Sequence, residues 1–313
     1  MNLFSKYLHW KYERELRRQA PIAAAIYEQI AKRVPPRDIL ASLRHPVSKE
    51  LTRILQSLRY IPQLPPLKEP TVSVVIPHFN QHAQLQEALV SIQKQSFAPD
   101  EIIVVDDVSE HGDEVKRICE TFDARLIRAP SKLYTGKARE AGARAAQGNI
   151  IIMHDADDVS HPNRVEFTRN VFMEFPEALH VNVGLVTFTD LSGYLRNFDW
   201  TEARQRILGP EQISARMKNI VTEQRFTISE SRFRVRRGWY GAHSTFGAHD
   251  GNVAFRKEVL DQVSYSPFGT YIFTKWVDYE FNMMLFLSGM RSYQIDLPLL
   301  YYRQGSSSFI SGV

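Results

Sequence analysis

Residues 149–158 read Asn-Ile-Ile-Ile-Met-His-Asp-Ala-Asp-Asp, an apolar run that ends abruptly in three carboxylates, Asp155, Asp157 and Asp158. Carboxylates this close repel one another. A divalent cation, which prefers hard oxygen ligands, offsets that repulsion, and so does exposure to water. The Asp-x-Asp spacing puts Asp155 and Asp157 on the same side of an extended segment, about 7 Å apart at Cα. One can then reach a metal while the other reaches the metal's ligand. A solvated turn at a strand end, where Asp is common, is the structural reading of the same residues.

The elements around this cluster must decide which reading holds. Four apolar residues at 150–153 read as a strand buried on both faces, as in a parallel sheet. Upstream, Val72–Ile76, Ile102–Val105 and Arg125–Ile127 read as strands. They alternate with helices expected over 83–95, 112–122 and 137–147, the last closed by Gly148 as a C-terminal cap. Such alternation means βαβ units. Right-handed crossovers in a doubly wound sheet place the first and fourth strands side by side, where strand order reverses, and ligands bind outside the carboxyl ends there. Those ends are Pro77-His78-Phe79-Asn80 and Asp155-Ala156-Asp157-Asp158, with Asp106-Asp107 closing the second strand nearby. Three polar strand ends converging on one crevice favour a binding site over a chance acidic turn.

The rest of the chain is less regular. Strands are expected at 180–190, Val253–Phe255 and Ser292–Leu297, and a helix over 277–287 whose first turn carries Asp278 and Glu280. Residues 202–237 are polar and rich in Arg. The first 60 residues read as Pro-punctuated helices, and 61–70 as a stiff Pro-rich linker. Domain boundaries follow: a helical module with its linker at 1–70, then one domain at 71–313, divided near residue 190.

Composition narrows the class. The 313 residues are 43% hydrophobic and 24% charged, ordinary for a globular protein. The one cysteine, Cys119, excludes an internal disulfide and suits a reducing compartment. No apolar stretch approaches the ~18 residues of a membrane span, and the start lacks the features of a signal peptide. A cytosolic protein is expected, or one bound to the inner face of a membrane. Residues 1–70 carry 13 basic and 6 acidic side chains, whereas the remainder carries 26 basic and 29 acidic. A basic front on a mildly acidic body suits an anionic surface, with contact through residues 1–20, and gives no reason to expect nucleic acid.

Several ordered motifs resemble one family. Val72-Ser-Val-Val-Ile-Pro-His-Phe-Asn80, Glu101-Ile-Ile-Val-Val-Asp-Asp107, Gly136-x-Ala138-Arg139-x-x-Gly142 and Asp155-Ala-Asp-Asp158 are similar to the opening of inverting family 2 glycosyltransferases. These have the GT-A fold, a Rossmann-like α/β architecture with a mostly parallel sheet flanked by helices; here an N-terminal α-helical extension precedes it. Gly251–Leu260 resembles the family's strand and helix behind the acceptor site, and Tyr302-Arg303 its closing Tyr-Arg. The match covers about residues 71–305. Glu140 stands where the family often has Asn, and Trp276-Val277 where it has Gly-Glu.

The resemblance implies a division of labour. Asp157, with Asp155, would ligate Mg²⁺ or Mn²⁺, and Asp155 would contact the ribose or the metal shell. Asp158 would brace the loop through an Asx-type turn. Pro77 and Phe79 would border the nucleobase and Asp107 would accept its imide N–H, although Asp106 and Asp107 also read as helix caps, Asp106 the better of the two. Arg139 would lie beside the nucleotide, the backbone approaching closely at Gly136. Asp278 would be the general base. The implied reaction moves a sugar from a nucleotide-sugar, with UDP as the default, to a glycan or lipid-linked acceptor in bacterial surface polysaccharide synthesis, in a chain that could form homo-oligomers. Two alternatives are a sugar-nucleotide nucleotidyltransferase and a catalytically silent nucleotide-binding scaffold. The former needs a Gly-rich, basic loop after the first strand, and 77–84 contains no Gly, Lys or Arg.

Overall fold

The computed structural model describes residues 64–189, 221–224, 250–265, 281, 285 and 292–304. The N-terminal helices, the Arg-rich stretch apart from 221–224, Asp278 with most of its helix, and the tail beyond 304 lie outside the described residues.

Strand β1 (Val72–His78), helix α1 (His82–Gln93), β2 (Glu101–Asp106), α2 (Gly112–Thr121), β3 (Arg125–Arg128), α3 (Tyr134–Ala145) and β4 (Ile150–Met153) alternate as expected. The order is β3-β2-β1-β4, all parallel, so the first and fourth strands are neighbours. Then follow β5 (Val159–Ser160), α4 (Arg164–Glu174), β6 (His180–Thr189), β7 (Val221–Gln224), β8 (Val253–Arg256) and β9 (Ser292–Gln304). These extend the sheet as β8-β6-β9-β5, with β7 against β9. Beyond β4 it is mixed: β8 runs antiparallel to β4 and β6, whereas β6 and β9 are parallel. The helix expected after β8 is a single 3₁₀ turn at Lys257–Asp261.

Alternation along β1 fills both faces. Val72, Val74 and Ile76 share a core with Leu85 and Leu89 of α1, Val115 and Ile118 of α2, and Phe167 and Phe172 of α4. Val75 faces the other way, with Ile103, Val105, Met153 and Ala138 and Ala143 of α3. A methyl group at Gly142 would lie 2.4 Å from Val75 Cγ1 and 2.8 Å from Val105 Cγ2. Helix α3 therefore approaches the sheet as closely as only glycine permits, and Ala there would cost about 1–3 kcal/mol.

One expectation is corrected here. Gly148 does not cap α3, which ends at Ala146 in an extended conformation. Gly148 instead packs on β1: its N–H donates to Ser73 Oγ at 2.9 Å, and a Cβ would meet Ser73 N at 2.7 Å. In addition, residues 64–70 are fastened to the domain. Arg256 Nη1 donates to Pro65 O (2.8 Å) and Arg169 Nε to Pro70 O (3.2 Å). Leu64 and Leu67 pack against the two cores.

Candidate active site

The acidic loop leaves β4 at the switch point, and its three carboxylates separate. Asp155 and Asp157 are half-buried, whereas Asp158 is fully buried. Asp158 makes no Asx turn; Oδ1 accepts the N–H of Arg303 in β9 at 3.0 Å. Burial first, then the charges of Asp157 and Asp155, push its carboxyl well above the usual range, which favours the protonated form. Arg303 fastens the loop from the other side, donating Nε to Asp157 O at 2.6 Å and pairing with Glu87 of α1. Buried Arg164 lies beneath, donating to Met153 O (2.6 Å), Gly251 O (2.7 Å) and Ser160 Oγ (3.2 Å). Burial brings its guanidinium down to about 10, against the pull of Asp158 and Asp155, so it stays charged. His154 is held at about 3 by burial and by Arg164; a neutral, buried imidazole is no proton donor at working pH.

Two side chains connect the loop to its neighbours. Arg139 of α3 reaches Asp155 Oδ1 at 2.5 Å, and the two side chains are only 4% and 15% exposed. Arg139 is therefore buried in an ion pair, whereas Arg144 on the same helix is half-exposed. Gln81, at the head of α1, donates Nε2 to Asp157 Oδ2 at 3.2 Å. Glu140, the departure from the family pattern, has a structural task. It accepts the N–H of Tyr265 at 3.0 Å and pairs with Arg144 at 2.7 Å, fixing the segment after β8 onto α3.

The ends of β1 and β2 form the opposite wall. His78 pairs with Asp106 in the ladder, Nδ1 to Oδ1 at 3.2 Å, and its Nε2 accepts the N–H of Gln81, also at 3.2 Å. The Nδ1–H tautomer satisfies both contacts. Burial works to raise the Asp106 carboxyl, but hydrogen bonds from His78 and Ser109 hold it below the usual range. Asp106 thus braces the strand ends and caps no helix. The cap comes from Asp107, and for α3: Oδ1 accepts Leu133 N–H at 2.5 Å and Oδ2 accepts Tyr134 N–H at 2.9 Å. That explains why α3 begins at Tyr134 with no capping side chain of its own. Lys132 Nζ lies 3.1 Å from Asp107 Oδ2 and 2.8 Å from the centre of the Phe79 ring. Burial lowers its ammonium pKa while Asp107 works in the opposite direction.

Phe79, Asp107, Arg139, Asp155 and Asp157 thus belong to one connected crevice. Half-buried Pro77 lies in register with Val105 at its floor, and Gly136 is buried in the first turn of α3. Among the described residues, no group of three or more His, Cys, Asp or Glu side chains could hold a metal by itself. Asp155 and Asp157 still suit Mg²⁺ or Mn²⁺, which typically takes one or two carboxylates and fills its shell with substrate phosphate oxygens. The general base implied at Asp278 lies outside the described residues. Lys132 and Gln81 carried no signal in the sequence, and His78 only that of a polar strand end. Each sits within two residues of an element boundary, and only the fold gives it a partner.

Comparison with known proteins agrees with this architecture. Over 122 residues the chain is 30% identical to an uncharacterized glycosyltransferase of Bacillus subtilis, YwdF, covering 39% of this chain and 45% of that one. It is 33% identical over 93 residues to the poly(ribitol-phosphate) beta-N-acetylglucosaminyltransferase TarS of Staphylococcus aureus, covering 28% of this chain and 16% of TarS. The matches thus span less than half the length of these relatives. Among solved structures, S. aureus TarS in complex with UDP-GlcNAc superposes with a TM-score of 0.55 at 16% identity, over 78% of this chain and 61% of that chain. That likeness concerns the fold. The family model of glycosyl transferase family 2 matches residues 73–264, more than half of the sequence, and the chain belongs to that family.

Proposed function

We infer that this chain is a metal-dependent, inverting glycosyltransferase that moves a sugar from a nucleotide-sugar, UDP-linked, to a glycan or lipid-linked acceptor in bacterial surface polysaccharide synthesis. The observation that carries this reading is the tethering of the acidic loop at the switch point. Arg139 holds Asp155, and Gln81 holds Asp157. Asp107 and Phe79 stand across the crevice where a nucleotide of a doubly wound sheet binds. Named relatives point the same way, among them TarS and the beta-1,3-glucosyltransferase WfgD of Escherichia coli, whose name gives UDP-Glc as donor and a diphosphoundecaprenol-linked sugar as acceptor.

In the reaction the acceptor hydroxyl oxygen bonds to the anomeric carbon as the bond from that carbon to the diphosphate oxygen breaks. The acceptor proton passes to Asp278, and the nucleoside diphosphate leaves. Asp157, with Asp155 beside it, would hold Mg²⁺ or Mn²⁺, which neutralises charge on the departing diphosphate. Arg139 orients Asp155, and Gln81 orients Asp157. The basic N-terminal stretch is read either as a peripheral docking element at an anionic membrane surface or as helices that pack against the catalytic domain or a second subunit. Incubation with labelled UDP-sugars and candidate acceptors tests the reading. A glycosylated acceptor with released UDP supports transfer, a newly formed sugar nucleotide indicates nucleotidyl transfer, and binding without product indicates a scaffold.

A further inference from the structure

We propose that Lys132 determines nucleobase specificity: together with Asp107 it reads an imide edge, a ring carbonyl beside a ring N–H, and so selects uracil over cytosine. This rests on the nucleotide-sugar reading above and adds a residue to it.

Lone pairs and protons can be counted. Each carboxylate oxygen offers two acceptor sites. Asp107 Oδ2 takes Tyr134 N–H and the Lys132 ammonium, whereas Oδ1 takes Leu133 N–H and keeps one site. Lys132 donates to Asp107 O at 3.2 Å and contacts Oδ2, and the remaining face of its ammonium lies on the Phe79 ring. A carbonyl oxygen arriving there exchanges a cation–π contact for a charge-assisted hydrogen bond, the stronger of the two. The ring N–H beside that carbonyl fits the open site on Oδ1. Cytosine offers an amino group and a bare ring nitrogen at the same edge, setting donor against ammonium and lone pair against carboxylate.

Exposure and backbone conformation agree. The Lys132 side chain is 29% exposed and that of Asp107 only 5%, so Lys132 is the more accessible of the two. The two backbone N–H groups already fasten the loop through Asp107, so Lys132 is not needed as its clip. The residues that follow Phe79, Asp107 and Leu133 are Asn80, Val108 and Tyr134, with φ of 54°, 61° and 62°. Val108 is β-branched and 44% exposed, and such a residue at positive φ is strained. Strain of this kind persists where the surroundings enforce it and clusters at ligand sites.

Titration calorimetry of the full chain with UDP and CDP in the presence of Mn²⁺ tests the inference, because these ligands differ only at the base edge. The wild-type chain should bind UDP at least ~10-fold more tightly than CDP, since a site built for specific hydrogen bonds rejects a ligand that leaves them unmade. Lys132→Met should lower UDP affinity about 10-fold while sparing CDP, so that the preference collapses, and Lys132→Arg should retain it. Equal wild-type binding of UDP and CDP overturns the inference, as does a preference unchanged in Lys132→Met. A parallel loss of both ligands in Lys132→Met, accompanied by a lower melting temperature, also overturns it by assigning Lys132 to the loop alone. Failure of the wild-type chain to bind any nucleoside diphosphate instead overturns the nucleotide-sugar reading beneath it.

Discussion

Removing the Arg139 guanidinium while keeping its stem, as in Arg139→Met, should take a charge partner from the Asp155 carboxylate in a site where it is 15% exposed. Breaking a fully buried ion pair costs about 3–5 kcal/mol. Asp155 retains some access to water, so about 2–3 kcal/mol is expected here. Asp155→Asn should cost a similar amount, because it leaves a guanidinium that is 4% exposed without its charge partner. The double variant should be scarcely worse than either single one, since each loss already includes the other. A double-mutant cycle by urea unfolding should therefore give a coupling of about 2 kcal/mol. Single effects that add to within about 0.5 kcal/mol would refute the claim that this pair organises the acidic loop.

Three further outcomes follow from particular contacts. Asp278→Asn should cut turnover severely and leave donor affinity unchanged, since a base acts on the acceptor proton; equal losses in both would remove Asp278 from that role. The Asp106 carboxyl is held below its unfolded value, so its contribution is complete above about pH 4 and is lost as pH falls through the folded value. Asp106→Asn should flatten the acid limb of the stability profile, and an unchanged limb contradicts the His78–Asp106 assignment. A chain starting at Leu64 should unfold at a higher temperature than one starting at Thr71, because only the former keeps Leu64, Leu67 and the Arg256 bond to Pro65. Equal melting temperatures would show that the strap contributes nothing.

The first four strands and three helices were legible because their signals are local. Apolar runs of strand length alternate with amphipathic helices, and strand order follows from crossover handedness. The crevice was legible for the same reason, since strand ends are where polar residues interrupt those runs. What escaped depends on distant partners. Helix α4 begins at Arg164, a charged residue that is buried only because Met153 O and Gly251 O await it. Strand β9 was expected to stop at Leu297, yet it continues through Pro298, which lies at a register shift against β6 where no ladder N–H is required. Gly148 read as a cap because it follows a helix, whereas the constraint upon it is Ser73, far away in sequence. Asp107 stood out at a strand end, but its task of capping α3 from there was not legible, because a helix's capping signals lie within its own first turn.

The most direct measurement is a radiolabelled sugar-transfer assay of the full chain with UDP-sugars, Mn²⁺ and lipid-linked saccharide acceptors, comparing the wild-type sequence with Asp157→Asn. The wild-type chain should yield a glycosylated acceptor with inverted anomeric configuration, lost on chelation of the metal. Asp157→Asn should fold normally, since the amide is isosteric with the carboxylate, yet transfer nothing and lose metal-dependent UDP binding. Full transfer by a folded Asp157→Asn, with the metal still required, would contradict the assignment of the acidic loop as the site of catalysis.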